Sequence, residues 1–194
     1  MTEPATPGDR STPDGPVPLN EPPVPMTTLR DGTEVAIVPM QATDSARLMR
    51  FHGTLSAETT YARFFSFHPE LTSAELERFT HVDHCDREAI VALAEDEIVG
   101  VTRFDRFDDV SEAEVAFVVA DSWQGRGIGA LLFECLVRRA VALGVTRLVA
   151  DTLPYNRRML AVFRHADLPI TERIEEGVVH LTLDLAGALS DPDR

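Results

Sequence analysis

Six residues constrain this chain more than any others: Gln124-Gly125-Arg126-Gly127-Ile128-Gly129. They follow the apolar run Val115-Ala116-Phe117-Val118-Val119 and lead directly into Ala130-Leu131-Leu132-Phe133, the start of a long apolar-periodic segment. The pattern is strand, glycine-rich turn, helix. Such a turn bares backbone N–H groups at the positive end of a helix dipole, where an anion such as phosphate is attracted. The glycines let the main chain approach a ligand with no Cβ in the way. An anion cradle is therefore expected over Gln124, Gly125, Arg126, Gly127, Ile128, Gly129 and Ala130, with the remaining elements arranged around it.

Those elements can be taken in order. Residues 1–28 hold eight of the 13 prolines and no aromatic residue, which predicts a disordered or polyproline-like tail. A domain over 29–186 follows, and a loose C-terminal tail is expected over 187–194. A first strand is predicted from Glu34 to Pro39. A helix capped by Thr43 or Asp44 comes next, then one capped near Ser56, with Tyr61, Phe64 and Phe65 on one face. A third helix is predicted over Ser73–Val82. Ala89–Ala94 and Ile98–Phe104 form a hairpin around Glu95-Asp96-Glu97, followed by a polar loop from Asp105 to Ser111. The strand Ala113–Val119, the glycine turn and a helix from Gly127 to Leu143 come next, ended by Gly144. Leu148–Ala150 is a short parallel-type strand, Asn156 opens another helix, and Pro169–Ile174 with Val178–Leu183 closes the sheet. The fold class is α/β: a mixed, mostly antiparallel central sheet with helices on both faces.

Composition narrows the function classes. The 194 residues suffice for one ordinary domain, and the net charge is −14. A nucleic-acid binder needs a basic face, and docking on anionic lipid needs the same, so neither is expected. No apolar run reaches membrane-spanning length, and residues 1–4 do not resemble a signal peptide. Cys85 and Cys135 are too few for a disulfide framework, which fits a reducing cytoplasm. His81-x-x-His84-Cys85 lacks the further ligands a zinc site needs, so no metal is expected.

Three ligands compete for the glycine turn. Gly125, Gly127 and Ala130 satisfy a dinucleotide fingerprint, but five residues intervene between Val119 and Gly125 where that motif sits at the strand end. A Walker loop needs a Lys followed by Ser or Thr, which is absent. The third fit is Gln124-x-x-Gly127-x-Gly129, which resembles the pyrophosphate loop of the GNAT superfamily of acyl-CoA-dependent N-acetyltransferases. The resemblance extends over residues 30–185 through the preceding strand, the long helix, the next strand and Asn156. Leu55-Ser56-x-Glu58-Thr59-x-Tyr61-x-Arg63-Phe64-Phe65, Val82-Asp83 with Asp86-Arg87-Glu88, and Glu114-Val115-Ala116-Phe117 are similar to the bacterial Pat-type protein lysine acetyltransferases.

That resemblance implies acetyl-CoA as acyl donor and a protein lysine as acceptor, acyl-CoA synthetases among the targets. Relatives of that type often carry a further regulatory or synthetase-like domain. A lysine ammonium, with a pKa of about 10.4, must lose a proton before it can attack a thioester. Glu114 is the candidate base, on the face of its strand shared with Ala116 and Val118 and expected to be partly buried. Glu112 has the same parity and is the second candidate. The resemblance further implies that the main chain of Phe117, Val118 and Val119 pairs with the pantetheine arm, with the Val118 N–H facing the developing oxyanion. Many superfamily members carry a Tyr seven residues after the helix-opening Asn, where this chain has Phe163. Asn156 either contacts the cofactor or caps its helix.

Further expectations concern charge and alternatives. Asp105, Asp108, Asp109, Glu112 and Glu114 either steer a cationic acceptor or form a solvated loop. Arg126 is expected to offset cofactor phosphates. A small-molecule amine acetyltransferase and a non-catalytic acyl-CoA sensor are the alternatives; the missing Tyr speaks for the second and Glu114 against it.

Overall fold

The apolar runs and their turn residues build one sheet with helices on both faces. The structure, a computed structural model, describes residues 26–107 and 111–186. Its strands are β1 (Thr27–Thr28), β2 (Glu34–Pro39), β3 (Arg87–Ala94), β4 (Glu97–Arg106), β5 (Glu112–Val119), β6 (Arg147–Thr152), β7 (Ile170–Glu175) and β8 (Val178–Asp184). They lie in the order β1-β2-β3-β4-β5-β6-β8-β7. Every neighbouring pair is antiparallel except β5 with β6. Thr27 and Thr28, expected in the N-terminal tail, pair with Val35 and Glu34. Residues 1–25 of that tail, Asp108 and Asp109, and the C-terminal tail from 187 onward lie outside the described residues.

The helices are α1 (Ser45–Gly53), α2 (Ala57–Phe64), α3 (Ser73–Thr80), α4 (Ile128–Ala142) and α5 (Arg157–Arg164). Their starts follow cap chemistry. Ser56 accepts the Thr59 N–H at α2, Thr72 and Glu75 form a capping box at α3, and Asn156 accepts the Met159 N–H at α5. Phe65 ends α2 in the left-handed conformation rather than continuing its face, and Tyr61 and Phe65 are exposed. Of the three residues expected on one face, Tyr61, Phe64 and Phe65, only Phe64 is turned inward. The loop after β4 is shorter than expected because the ladder with β5 holds Asp105 and Arg106 as strand.

Two cores sandwich the sheet. On one face, α4 and α5 pack Ile128, Leu132, Phe133, Leu136, Met159, Leu160 and Phe163 against Phe104, Val115 and Phe117. On the other, α1 and α3 bring Leu48, Phe51, Leu76 and Phe79 over Val91, Val101 and Val118. Strand alternation then assigns the central side chains. Phe104, Val115 and Phe117 face α4. Val101, Arg103 and Asp105 of β4, with Glu112, Glu114, Ala116 and Val118 of β5, face α1–α3. Gly100 allows α4 to sit close to the sheet, since a Cβ there would lie 2.9 Å from Leu132 and 3.1 Å from Ile128.

Candidate active site

The parallel pair β5–β6 is short, and that brevity creates the site. Their register runs Glu112↔Arg147, Ala113↔Leu148 and Glu114↔Val149 and then stops. Beyond it, Ala150–Thr152 of β6 continue to pair with β8 alone. Among the described residues, no strand pairs with residues 115–119 of β5 on that side. Their main chain therefore borders a wedge, and a strand-like ligand can take up its free hydrogen-bonding groups.

A groove of about 710 Å³ occupies this wedge. Phe117, Val118 and Val119 form one wall, and Gln124, Gly125, Gly127, Ile128, Gly129 and Ala130 form the end at the start of α4. Gly127 has φ +95° and stands at the N-cap of α4 with no side chain capping the helix. The first-turn N–H groups are thus left for a ligand, as the anion cradle requires. The expected offset of the turn from the strand end is filled by a single 3-10 turn, Asp121–Trp123.

Gln124 has an additional role that its motif did not indicate. Its Nε2 donates to Val119 O at 3.0 Å and to Thr59 Oγ1 at 3.3 Å, while its Oε1 accepts from Arg158. One side chain therefore ties β5, α2 and α5 around the groove. Asp121 reinforces the same corner. Its carboxylate accepts the Ser56 N–H at 2.9 Å, the Ser56 hydroxyl at 2.8 Å and the Thr59 hydroxyl at 2.7 Å. Burial alone would raise the Asp121 carboxyl, but the hydrogen bonds from Ser56 and Thr59 outweigh it and hold the group below the usual carboxylate range.

Other expected residues are placed differently. Arg126 does not line the groove. Its guanidinium lies 3.2 Å from Asp31 and 4.6 Å from the centre of the Trp123 ring, a salt bridge and a cation–π contact that turn it outward. Arg157 and Arg158 line the groove instead. Asn156 caps α5 and also lines the groove. Phe163 is 1% exposed, at 5.1 Å from Phe133 and 5.4 Å from Phe117 between ring centres, so it belongs to the core. Tyr155, just before Asn156, also lines the groove.

The two candidate bases differ in their partners. Glu112 pairs with Arg147 at 2.9 Å across the β5–β6 register. Glu114 is the last β5 residue paired with β6, and it is exposed rather than partly buried. Among the described residues its carboxylate makes no ion pair, and its charge acts on the Arg63 guanidinium. Asp105 is not free to steer a cation. It lies 3.1 Å from Arg87, 3.4 Å from Arg103 and 3.6 Å from Arg78. In the His81-x-x-His84-Cys85 stretch, where no metal is expected, His84 meets Glu88 at 2.6 Å. Among the described residues, no helix is long and apolar enough to cross a membrane.

Comparison with known proteins agrees with this geometry. The pattern of the acetyltransferase (GNAT) family matches residues 55–167. Acetyltransferase PA5475 of Pseudomonas aeruginosa is 29% identical over 136 residues, covering 68% of this chain and 73% of its own length. Acetyltransferase Pat of Mycolicibacterium smegmatis is 32% identical over 84% of this chain, which spans only 49% of that relative. The crystal structure of the GNAT domain of S. lividans PAT superimposes with a TM-score of 0.78 at 36% identity, over 82% of this chain and 96% of that one.

Proposed function

The chain belongs to the acetyltransferase (GNAT) family, and we propose that it transfers an acetyl group from acetyl-CoA to a lysine side-chain amine of a protein, with Glu114 as general base. The observation that carries this reading is the coincidence of three features at one place. The β5–β6 register ends at Glu114, the free main chain of β5 begins just after it, and the groove along that chain leads to the glycine turn. A pantetheine arm suits the free strand edge, and a pyrophosphate suits the N–H groups at the start of α4.

Acetyl-CoA supplies an acyl carbon already activated as a thioester. The protein's share is positioning and proton transfer. Gln124, tied to Val119, Thr59 and Arg158, fixes the wall along which the donor lies. Glu114 stands free to take a proton from the incoming ammonium, directly or through one water. Glu112, engaged by Arg147, is the weaker candidate. The protein acceptor is supported by similarity to a relative named Pat and to a PAT domain, and acyl-CoA synthetases are included as targets. The free thiols of Cys85 and Cys135 suit a reducing compartment, and the cytoplasm is part of the same reading.

The deciding experiment measures thiol release from acetyl-CoA with lysine-bearing proteins and with free amines, for the wild type and Glu114→Gln. Undiminished turnover in the variant removes Glu114 from its role. Failure of acetyl-CoA to bind at all removes the whole reading.

A further inference from the structure

Beside the groove, on the α1–α3 side of the sheet, lies a second, smaller cavity of about 40 Å³. That is room for a carboxylate or one or two waters. It opens off the groove at the residues both share, Arg63, Phe117 and Val118. Its walls are apolar except for Arg63, Arg103 and His52, and the His52 Nε2 is already hydrogen-bonded to the His68 carbonyl at 2.9 Å.

Arg103 is the anomaly. It is only 6% exposed, and its Nη2 is buried with no hydrogen-bond partner. Its Nε is 3.4 Å from Asp105, and its guanidinium lies 4.4 Å from the centre of the Phe79 ring. Asp105 does not neutralise it, because Arg78 and Arg87 share the same carboxylate. A buried donor left unsatisfied costs about 1–3 kcal/mol, more when charged, so such a group commonly marks a ligand's place. The surrounding charge is also anomalous. In a chain of net charge −14, this guanidinium feels Arg63, Arg87 and Arg78 against the single Asp105. Burial, with those three cations, pulls it down to about 10.

We propose that Arg103, with Arg63 at the cavity mouth, forms a carboxylate subsite adjoining the acyl end of the groove, so that the enzyme prefers a substrate carrying a carboxylate near the reacting carbon. A guanidinium fork matches a carboxylate better than it matches water. The carboxylate comes either from the distal end of a dicarboxylic acyl thioester or from the amine acceptor. It takes no part in the bond changes. The amine nitrogen bonds to the acyl carbon, the carbon–sulfur bond breaks, and the proton lost by nitrogen passes through the base to the leaving thiolate. The inference rests on the acyl-transfer reading of the groove.

The test uses the single tryptophan, Trp123, which lines the groove and reports ligand binding by fluorescence. Acetyl-CoA and succinyl-CoA are titrated into the wild type, Arg103→Met and Arg103→Lys, with thermal melts run alongside. If the acyl chain carries the carboxylate, succinyl-CoA binds at least tenfold tighter than acetyl-CoA in the wild type. That ratio falls to near one in Arg103→Met, with Arg103→Lys between them. If the acceptor carries it, the two thioesters bind alike, and with acetyl-CoA β-alanine is acetylated at least tenfold more efficiently than propylamine, a preference lost in Arg103→Met. Should Arg103→Met not fold, Arg103→Lys decides by a partial loss of the same ratio. The proposal is overturned if neither preference exists in the wild type, or if a preference survives both substitutions. Acetyl-CoA binding without either preference defeats this inference alone, whereas no binding of any thioester defeats the acyl-transfer reading.

Discussion

Glu114 stands directly across from Asp105 in the β4–β5 ladder. Both carboxylates point to the same face, and their surroundings divide the work between them. Asp105 is held by Arg78, Arg87 and Arg103, whereas Glu114 has no ion pair among the described residues. Two carboxylates with such different partners suit different roles. Glu114→Gln should therefore leave acetyl-CoA affinity within about twofold of wild type and lower kcat/KM by about 100- to 10,000-fold, the range for a lost general base. Fluorescence titration and thiol release give the two numbers separately. A comparable loss of affinity would falsify the division of roles.

Asp105→Asn should act on stability. It leaves three guanidiniums together, one of them buried, and the loss should be on the order of 3 kcal/mol. Chemical denaturation measures it. A stability equal to wild type would mean that Asp105 does not offset the arginine cluster.

Gly127 and Gly144 both have positive φ, at 95° and 80°, and an added Cβ meets no protein atom at either. Gly127→Ala and Gly144→Ala should each cost about 1–2 kcal/mol from left-handed strain. Only Gly127→Ala should also weaken acetyl-CoA binding, because its Cβ projects at the cradle while Gly144 lies past the far end of α4. Equal affinity in the two variants would argue against pyrophosphate at this turn.

Asp121 makes a pH-dependent anchor. Its folded-state pKa is depressed, so its contribution is complete above the unfolded value of about 3.9 and disappears as pH falls through the lower folded value. Urea denaturation from pH 6 to pH 3 should show the wild type's advantage over Asp121→Asn at its full size down to about pH 4 and shrinking below it. The variant should also bind acetyl-CoA more weakly, since α2 and the Gln124 corner lose their shared tether. An advantage constant across that range would assign the effect to something other than this carboxylate.

What could be read from the sequence was local. The strand, turn and helix around Gln124–Gly129, the caps at Ser56 and Asn156, and the face of Glu114 follow from spacing and cap chemistry within a few residues. What escaped depends on register between distant segments. Nothing near Arg103 says that Asp105 will be shared with Arg78 and Arg87, or that α2 will bring Arg63 to the same cavity. At Arg126, a cation inside an anion cradle suggests a phosphate partner, whereas the competing Asp31 lies far away in sequence. The tie from Gln124 to Thr59 and Arg158 was hidden for the same reason.

Phe163 bears on the missing general acid. Phe163→Tyr places a hydroxyl at the position where many superfamily members carry one. However, Phe163 is packed edge-on against Phe133 and Phe117 and is 1% exposed. A hydroxyl there would be buried without a ready partner, costing about 1–3 kcal/mol. Phe163→Tyr should thus lower the melting temperature and give no gain in turnover. Tyr155, which lines the groove from the loop before α5, is the phenol in reach of it, so Tyr155→Phe should slow turnover while sparing the melting temperature. A faster Phe163→Tyr enzyme would show that α5 turns this position toward the groove during the reaction.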